Sequence, residues 1–158
     1  MTAVAKIRPF QWSDVENFTS LSNCINGVVG TEKEVSEHLM KQILSHPSCR
    51  PETNCFIAES TNDKIIGYGL VSLERSIDRA VASGGVLAEH RNSGVGKLLL
   101  RRVNEYVESI GMEMFNIQTS ADSTAAQHLL ESEGFTHVKD YWQMRWENGH
   151  LPEIKLPE

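Results

Sequence analysis

Arg91-Asn92-Ser93-Gly94-Val95-Gly96-Lys97 is the stretch on which the reading of this chain turns. Gly84-Gly85-Val86-Leu87 precedes it and is short and mostly apolar, as the end of a strand would be. Leu98, Leu99, Val103, Tyr106 and Ile110 follow it at helical spacing. A strand that passes through a basic, glycine-bearing loop into a helix is a recurrent way to hold a phosphate. The free N–H groups of the first helical turn point at the ligand, and the helix dipole favours negative charge there. Gly94 and Gly96 lack a Cβ and let the main chain approach a bulky pyrophosphate. Arg91 adds a fixed positive charge with forked donors. Plain turn glycines would not by themselves bring Arg91 and a following helix. A nucleotide P-loop does not fit, because Gly96-Lys97 lacks both the Ser or Thr after it and the glycine five places before. A dinucleotide fingerprint does not fit either, because Leu99 stands where its third glycine belongs.

Working outward, Val4 to Phe10 reads as a strand ending at Pro9, and Ser13-Asp-Val-Glu16 as a capping box that opens a helix. Thr31-Glu-Lys-Glu34 repeats the box and predicts a second helix with Val35, Leu39, Ile43 and Leu44 on one face. Cys24 to Gly30 between them has two readings, a mobile loop over a substrate site and an ordinary helix connection. Asn54–Glu59 and Ile65–Leu73 read as a hairpin around Thr61-Asn62-Asp63, and Ala80–Leu87 as a fourth strand. The helix after Gly94 runs to about Ile110, with Gly111 as its C-cap. Glu113–Thr119 is a fifth strand, and a short helix capped by Asp122 or Ser123 ends at Gly134. Phe135–Lys139 and Trp142–Trp146 are read as a last pair of strands, and the proline-punctuated residues 148–158 as a linker-like tail after a single domain spanning 1–147. The crossover through the long helix makes the fourth and fifth strands parallel. The expected fold class is α/β (α+β), a mixed, mostly antiparallel central sheet of six to seven strands with helices on both faces.

Composition excludes several classes. The 158 residues suit one domain with one core, and 40% hydrophobic content is too high for disorder. No apolar run approaches the roughly 20 residues that span a bilayer, and the N-terminus lacks a basic-then-apolar signal pattern. The expectation is a cytoplasmic chain with no membrane partner. Cys24, Cys49 and Cys55 are odd in number and the six histidines are scattered, so neither a disulfide framework nor a metal site is expected. The net charge of −6 argues against a nucleic acid partner and is compatible with a cationic substrate such as an amine. Trp12, Trp142 and Trp146 read as packing residues, His90 and His137 as surface or strand-edge groups, and Cys55 as a small buried hydrophobe.

The heptad and the order of elements together resemble the GNAT superfamily of acyl-coenzyme A-dependent N-acyltransferases, over residues 4–147 with the core at 86–97. The family's Arg/Gln-x-x-Gly-x-Gly/Ala is matched by Arg91-Asn-Ser-Gly94-Val-Gly96. Ser123-x-x-Ala126-x-x-Leu129-Leu130-Glu131-x-x-Gly134-Phe135 is similar to its later segment, and Ile7-Arg8-Pro9 followed by Ser13-Asp14 resembles its opening. The resemblance implies an acetyl-coenzyme A (acetyl-CoA)-dependent N-acetyltransferase. Acetyl-CoA would be the co-substrate, and a primary amine of a small molecule or peptide would attack the thioester directly. It places the pyrophosphate on the amides of Asn92, Ser93, Gly94, Val95, Gly96 and Lys97, beside Arg91. The pantetheine arm would lie along the backbone of Val86 and Leu87, with the Leu87 N–H near the thioester carbonyl as an oxyanion donor.

The chain departs from the family pattern in four places. Ala88 replaces a common proline, Asn92 a glycine, and Ser123 an asparagine that would contact the co-substrate; Asn92 tolerates the left-handed conformation and Ser123 still offers a hydrogen bond. Leu130 stands where a tyrosine often protonates the departing thiolate. That acid is then missing, supplied by water, or replaced from elsewhere, with Tyr141 a candidate. The fourth strand holds no carboxylate, and Asp78 and Glu89 at its ends read as solvated groups, so no catalytic residue is assigned. A catalytically weak coenzyme A-binding or regulatory module is the alternative. The tail resembles the join between halves of tandem acetyltransferases such as mycothiol synthase, which raises pairing as a homodimer or as half of a longer protein.

Overall fold

The computed structural model describes residues 6–142 and 144. Strand β1 (Lys6–Pro9) leads through a 3-10 turn into α1 (Val15–Ile25), α2 (Glu37–Leu44) and the single-turn α3 (Pro51–Asn54). Then come β2 (Cys55–Glu59), β3 (Ile65–Glu74), β4 (Arg79–Val86), α4 (Val95–Ile110), β5 (Met114–Ile117) and α5 (Thr124–Ser132). The strands lie in chain order in one sheet, antiparallel from β1 to β4, with β4 and β5 parallel. Alternation along β2 sorts the two cores. Cys55 and Ile57 join Phe10, Phe18, Leu21, Met40 and Leu44 on the α1/α2 face, while Phe56 and Ala58 join Leu99, Val103 and Val107 on the α4 face. Helix α4 seats closely on β3 because a Cβ at Gly67 would come 3.1 Å from Leu99 Cδ1 and one at Gly69 2.9 Å from Val103 Cγ2.

Four expectations are corrected. The described residues form five strands, not six to seven. Phe135–Lys139 carries no strand, and most of Trp142–Trp146, the domain end at 147 and the tail 148–158 lie outside the described residues. Helix α1 begins two residues after Ser13, because Asp14 turns back to accept from the Gln11 N–H at 2.8 Å and binds Arg8 through two hydrogen bonds of 2.7 Å. Arg8 also reaches Glu59 at 2.7 Å, so one guanidinium ties β1, β2 and the start of α1. Helix α2 starts at Glu37 with Ser36 as its cap, not at the Thr31 box. Asn23 pins Val35 by donating to its carbonyl at 2.8 Å and accepting its N–H at 2.9 Å, and the cap residue Ser36 is extended. Packed on α1 and the sheet, helix α2 buries Met40 and Leu44 and leaves Leu39 and Ile43 exposed.

Tryptophan packing also differs. Trp12 packs edge-on to Phe10 but is 40% exposed, and Trp142 is exposed. Cys55 is fully buried, and burial pushes its thiol pKa well up. No helix among the described residues is long and apolar enough to cross a membrane, and no cluster there could hold a metal ion.

Candidate active site

Strand β4 outruns its parallel partner. Pairing with β5 ends at Ala82 opposite Ile117, while β4 continues to Val86. On the other side, β4 stays paired with β3 as far as Gly67 opposite Val86. The Leu87 N–H donates to the Ile66 carbonyl at 2.9 Å. Alternation in an antiparallel ladder then turns Ser83 and Gly85 toward β3, and Gly84 and Val86 away from it, toward the side that β5 has left. The expectation that Leu87 presents a free N–H is thus corrected. That donor is taken by β3, the Leu87 side chain joins the α1/α2 core, and the open edge belongs to Gly84 and Val86.

A cavity of about 940 Å³ fills the split, bounded by both faces of the sheet. The α1 side supplies Ile25, Asn26 and Tyr68; the other side supplies Leu99, Val103, Ala126, Leu129 and Leu130. One end is the loop into α4. Asn92 and Gly94 both adopt the left-handed conformation, with φ of 56° and 85°. Gly94 is the cap residue, and nothing lies within 4 Å of where its Cβ would be. The first helical hydrogen bond runs from the Leu98 N–H to the Gly94 carbonyl at 3.1 Å, which leaves the Val95, Gly96 and Lys97 N–H groups without helical acceptors. The Val95 side chain is buried in the α4 core and fixes this turn, so only its main chain is available to a ligand.

The expected residues separate into groups. Val86, Arg91, Asn92, Gly94, Gly96, Lys97 and Ser123 line the cavity. Ser93 bonds the His90 carbonyl through its hydroxyl at 2.5 Å. Arg91 Nε donates to the Val86 carbonyl at 3.1 Å, which lays the guanidinium along the end of β4. The Lys97 ammonium pairs with Glu133 at 2.8 Å, and Arg101 meets the same carboxylate at 3.4 Å. The hydrogen bond from Lys97, aided by Arg101, holds the Glu133 carboxyl below its ordinary pKa. Tyr141 is exposed and does not line the cavity, whereas Leu130 does. The residues that the motifs did not indicate are Ile25, Asn26 and Tyr68. Ile25 and Asn26 fall in the Cys24–Gly30 stretch that one reading placed over a substrate site, whereas nothing in the sequence pointed to Tyr68.

The acetyltransferase (GNAT) family model matches residues 15–135. Among solved structures, the chain is similar to a GCN5-related N-acetyltransferase from Sphaerobacter thermophilus, with TM-score 0.70 and 17% identity over 84% of this chain, although it spans only 43% of that protein. It is similar to an N-acetyltransferase from Staphylococcus aureus Mu50, with TM-score 0.74 and 18% identity over 87% of this chain and 92% of the other. A third likeness is to AAC(6')-Iy, solved with a bisubstrate analog of coenzyme A, with TM-score 0.67 and 19% identity over 90% and 98% of the two chains. At these identities the likeness shows the fold. No curated protein matches the sequence significantly.

Proposed function

The chain belongs to the acetyltransferase (GNAT) family, and on that footing we propose that it transfers the acetyl group of acetyl-CoA to a primary amine of a small molecule or peptide. The observation that carries this reading is the split between β4 and β5, closed at one end by the left-handed loop into α4. The donors there fit a diphosphate: three N–H groups without helical acceptors, an open Gly94, and the Arg91 nitrogens not bound to Val86. The acyl-carrying arm would lie against Gly84 and Val86 as an added strand, with the Ser123 hydroxyl on the opposite wall. The Val86 N–H would then face the thioester oxygen and stabilise the oxyanion. The amine nitrogen forms a bond to the carbonyl carbon, the C–S bond breaks, the thiolate leaves, and the amine's proton passes to water. Holding the two reactants together supplies much of the rate.

Calorimetry with acetyl-CoA, comparing wild type with Gly94→Trp, tests the cradle. Binding by wild type and none by the variant is expected; no binding by wild type defeats the reading. Thiol release with a panel of amines then separates transfer from mere binding. A second reading, a coenzyme A-binding module without turnover, is favoured by Leu130, an apolar wall where a proton donor would stand. Turnover well above the uncatalysed rate on any amine removes it.

A further inference from the structure

The acceptor's chemical class can be taken further, on the footing that the site transfers acetyl groups. The end of the cavity beside α1 is walled by Ile25, Asn26, Tyr68, Ser83, Gly84 and Gly85. None of these side chains carries a charge. Ile25 lies directly on β4, since a Cβ at Gly85 would come 2.6 Å from Ile25 Cγ2. Tyr68 is the cross-strand partner of Gly85, so no side chain of β4 covers it on its face there. Its ring is fixed edge-on to Phe18, with centroids 4.9 Å apart. The charged lining residues are elsewhere: Arg91 and Lys97 at the start of α4, and Asp122 on the loop into α5. The connection after α1 carries Glu32, Lys33 and Glu34, all exposed and none lining the cavity, and the Glu34 carboxylate accepts the Gly30 N–H at 2.7 Å.

An amine attacks a thioester only as its free base, and no carboxylate lines this end of the cavity to take the proton of an ammonium group. The site therefore draws on the free base. At pH 7.5 an α-amino group, with pKa near 7.8, is about one-third free base, whereas a lysine amine, near 10.4, is so in roughly one molecule in 800. We propose that the acceptor is a weakly basic amine on an uncharged apolar body, namely an α-amino group beside an aromatic or branched aliphatic side chain. Ile25 and Tyr68 are the residues that select the body, the former by apolar contact and the latter by its ring.

Steady-state kinetics at saturating acetyl-CoA test this with three probes: phenylalanine amide, Nα-acetyl-lysine amide and spermidine. At pH 7.5 the first should exceed the others in kcat/KM by roughly 250-fold, in line with the free-base ratio. Its pH profile should level near pH 9, while that of the lysine amide keeps rising past pH 10. Ile25→Ala should raise KM for phenylalanine amide by about tenfold and change the spermidine value far less. Asn26→Asp, nearly the same shape, places a carboxylate at this end and should shrink the preference over spermidine by roughly tenfold. Spermidine or the lysine amide as the better acceptor, or a preference unmoved by Asn26→Asp, overturns this inference and leaves acetyl transfer standing. Tight acetyl-CoA binding with no turnover on any amine overturns acetyl transfer, and the acceptor class with it.

Discussion

Helix α4 has a glycine in the left-handed conformation at each end, Gly94 at φ 85° and Gly111 at φ 69°, and neither has anything within 4 Å of its missing Cβ. An alanine at either position meets the same backbone penalty of about 1–2 kcal/mol and no steric one. For a chain of this size that is a drop in Tm of roughly 2–8 °C, and the two variants should fall together. Only Gly94 faces the cavity. If the N–H groups beside it dock the diphosphate, a methyl there keeps the ligand from closing on them and weakens one or two charge-assisted hydrogen bonds. At roughly 1.5–3 kcal/mol, acetyl-CoA affinity should fall about 10- to 100-fold in Gly94→Ala. Gly111→Ala should bind as wild type does. Thermal unfolding and titration calorimetry on the three proteins read both quantities. Equal affinity in the two variants, whether both weakened or both intact, would refute the placement of the diphosphate, because the stability match removes the backbone as an explanation.

Three further outcomes follow from the geometry. A Cβ at Gly84 would stand 2.2 Å from the Tyr68 carbonyl oxygen and 3.0 Å from Gly69 Cα, so Gly84→Ala must push β4 off β3; a loss of about 2–4 kcal/mol is expected by urea unfolding, and a variant as stable as wild type would show the close approach to be wrong. Burial works against the charge on Asp14, but the hydrogen bonds from Arg8 and the Gln11 N–H, with the charge of Arg8, outweigh it and hold the carboxyl below its ordinary value. Its contribution is therefore complete above about pH 4, the ordinary carboxylate value, and is lost as pH falls through the lower folded value. Asp14→Asn should lower stability by roughly 2–3 kcal/mol at pH 7, and the gap to wild type should narrow only below about pH 4 in acid unfolding curves. Glu133→Gln frees the Lys97 and Arg101 cations beside the cradle, so acetyl-CoA affinity at low salt should hold or rise; a tenfold loss would mean that the pair positions the loop.

The parts legible in the sequence were those written in local chemistry. Gly111 announced the end of α4, and Asn92 and Gly94 announced the left-handed loop, because few other residues take that conformation cheaply. Leu99 and Val103 announced the buried face of α4. What stayed illegible depends on contacts between distant residues. The Thr31–Glu34 box spelled a helix start, but the grip of Asn23 on Val35 delays the helix to Glu37. Leu39 with Ile43 and Met40 with Leu44 are equally good apolar stripes, and only packing against Phe10, Phe18 and Leu21 selects the second. That the Leu87 N–H is bonded to the Ile66 carbonyl was equally hidden, because no single strand tells which of its neighbours a given N–H faces. Ile25 and Tyr68 belong to no motif; a helix end and a strand bring them together across β4.

An unpartnered strand edge ordinarily invites neighbouring chains to stitch onto it and precipitate. Here the bare length of β4 lies at the bottom of a slot, flanked by α5 and by the loop from Gln118 to Ser123. A protein strand arriving there would bring side chains above and below its own backbone and would have to fit them between the residues of α1, α4 and α5 that line the cavity. A slim, sparsely branched chain has fewer such groups to fit. The edge left bare by β5 is thus set between helices rather than at the rim of the sheet.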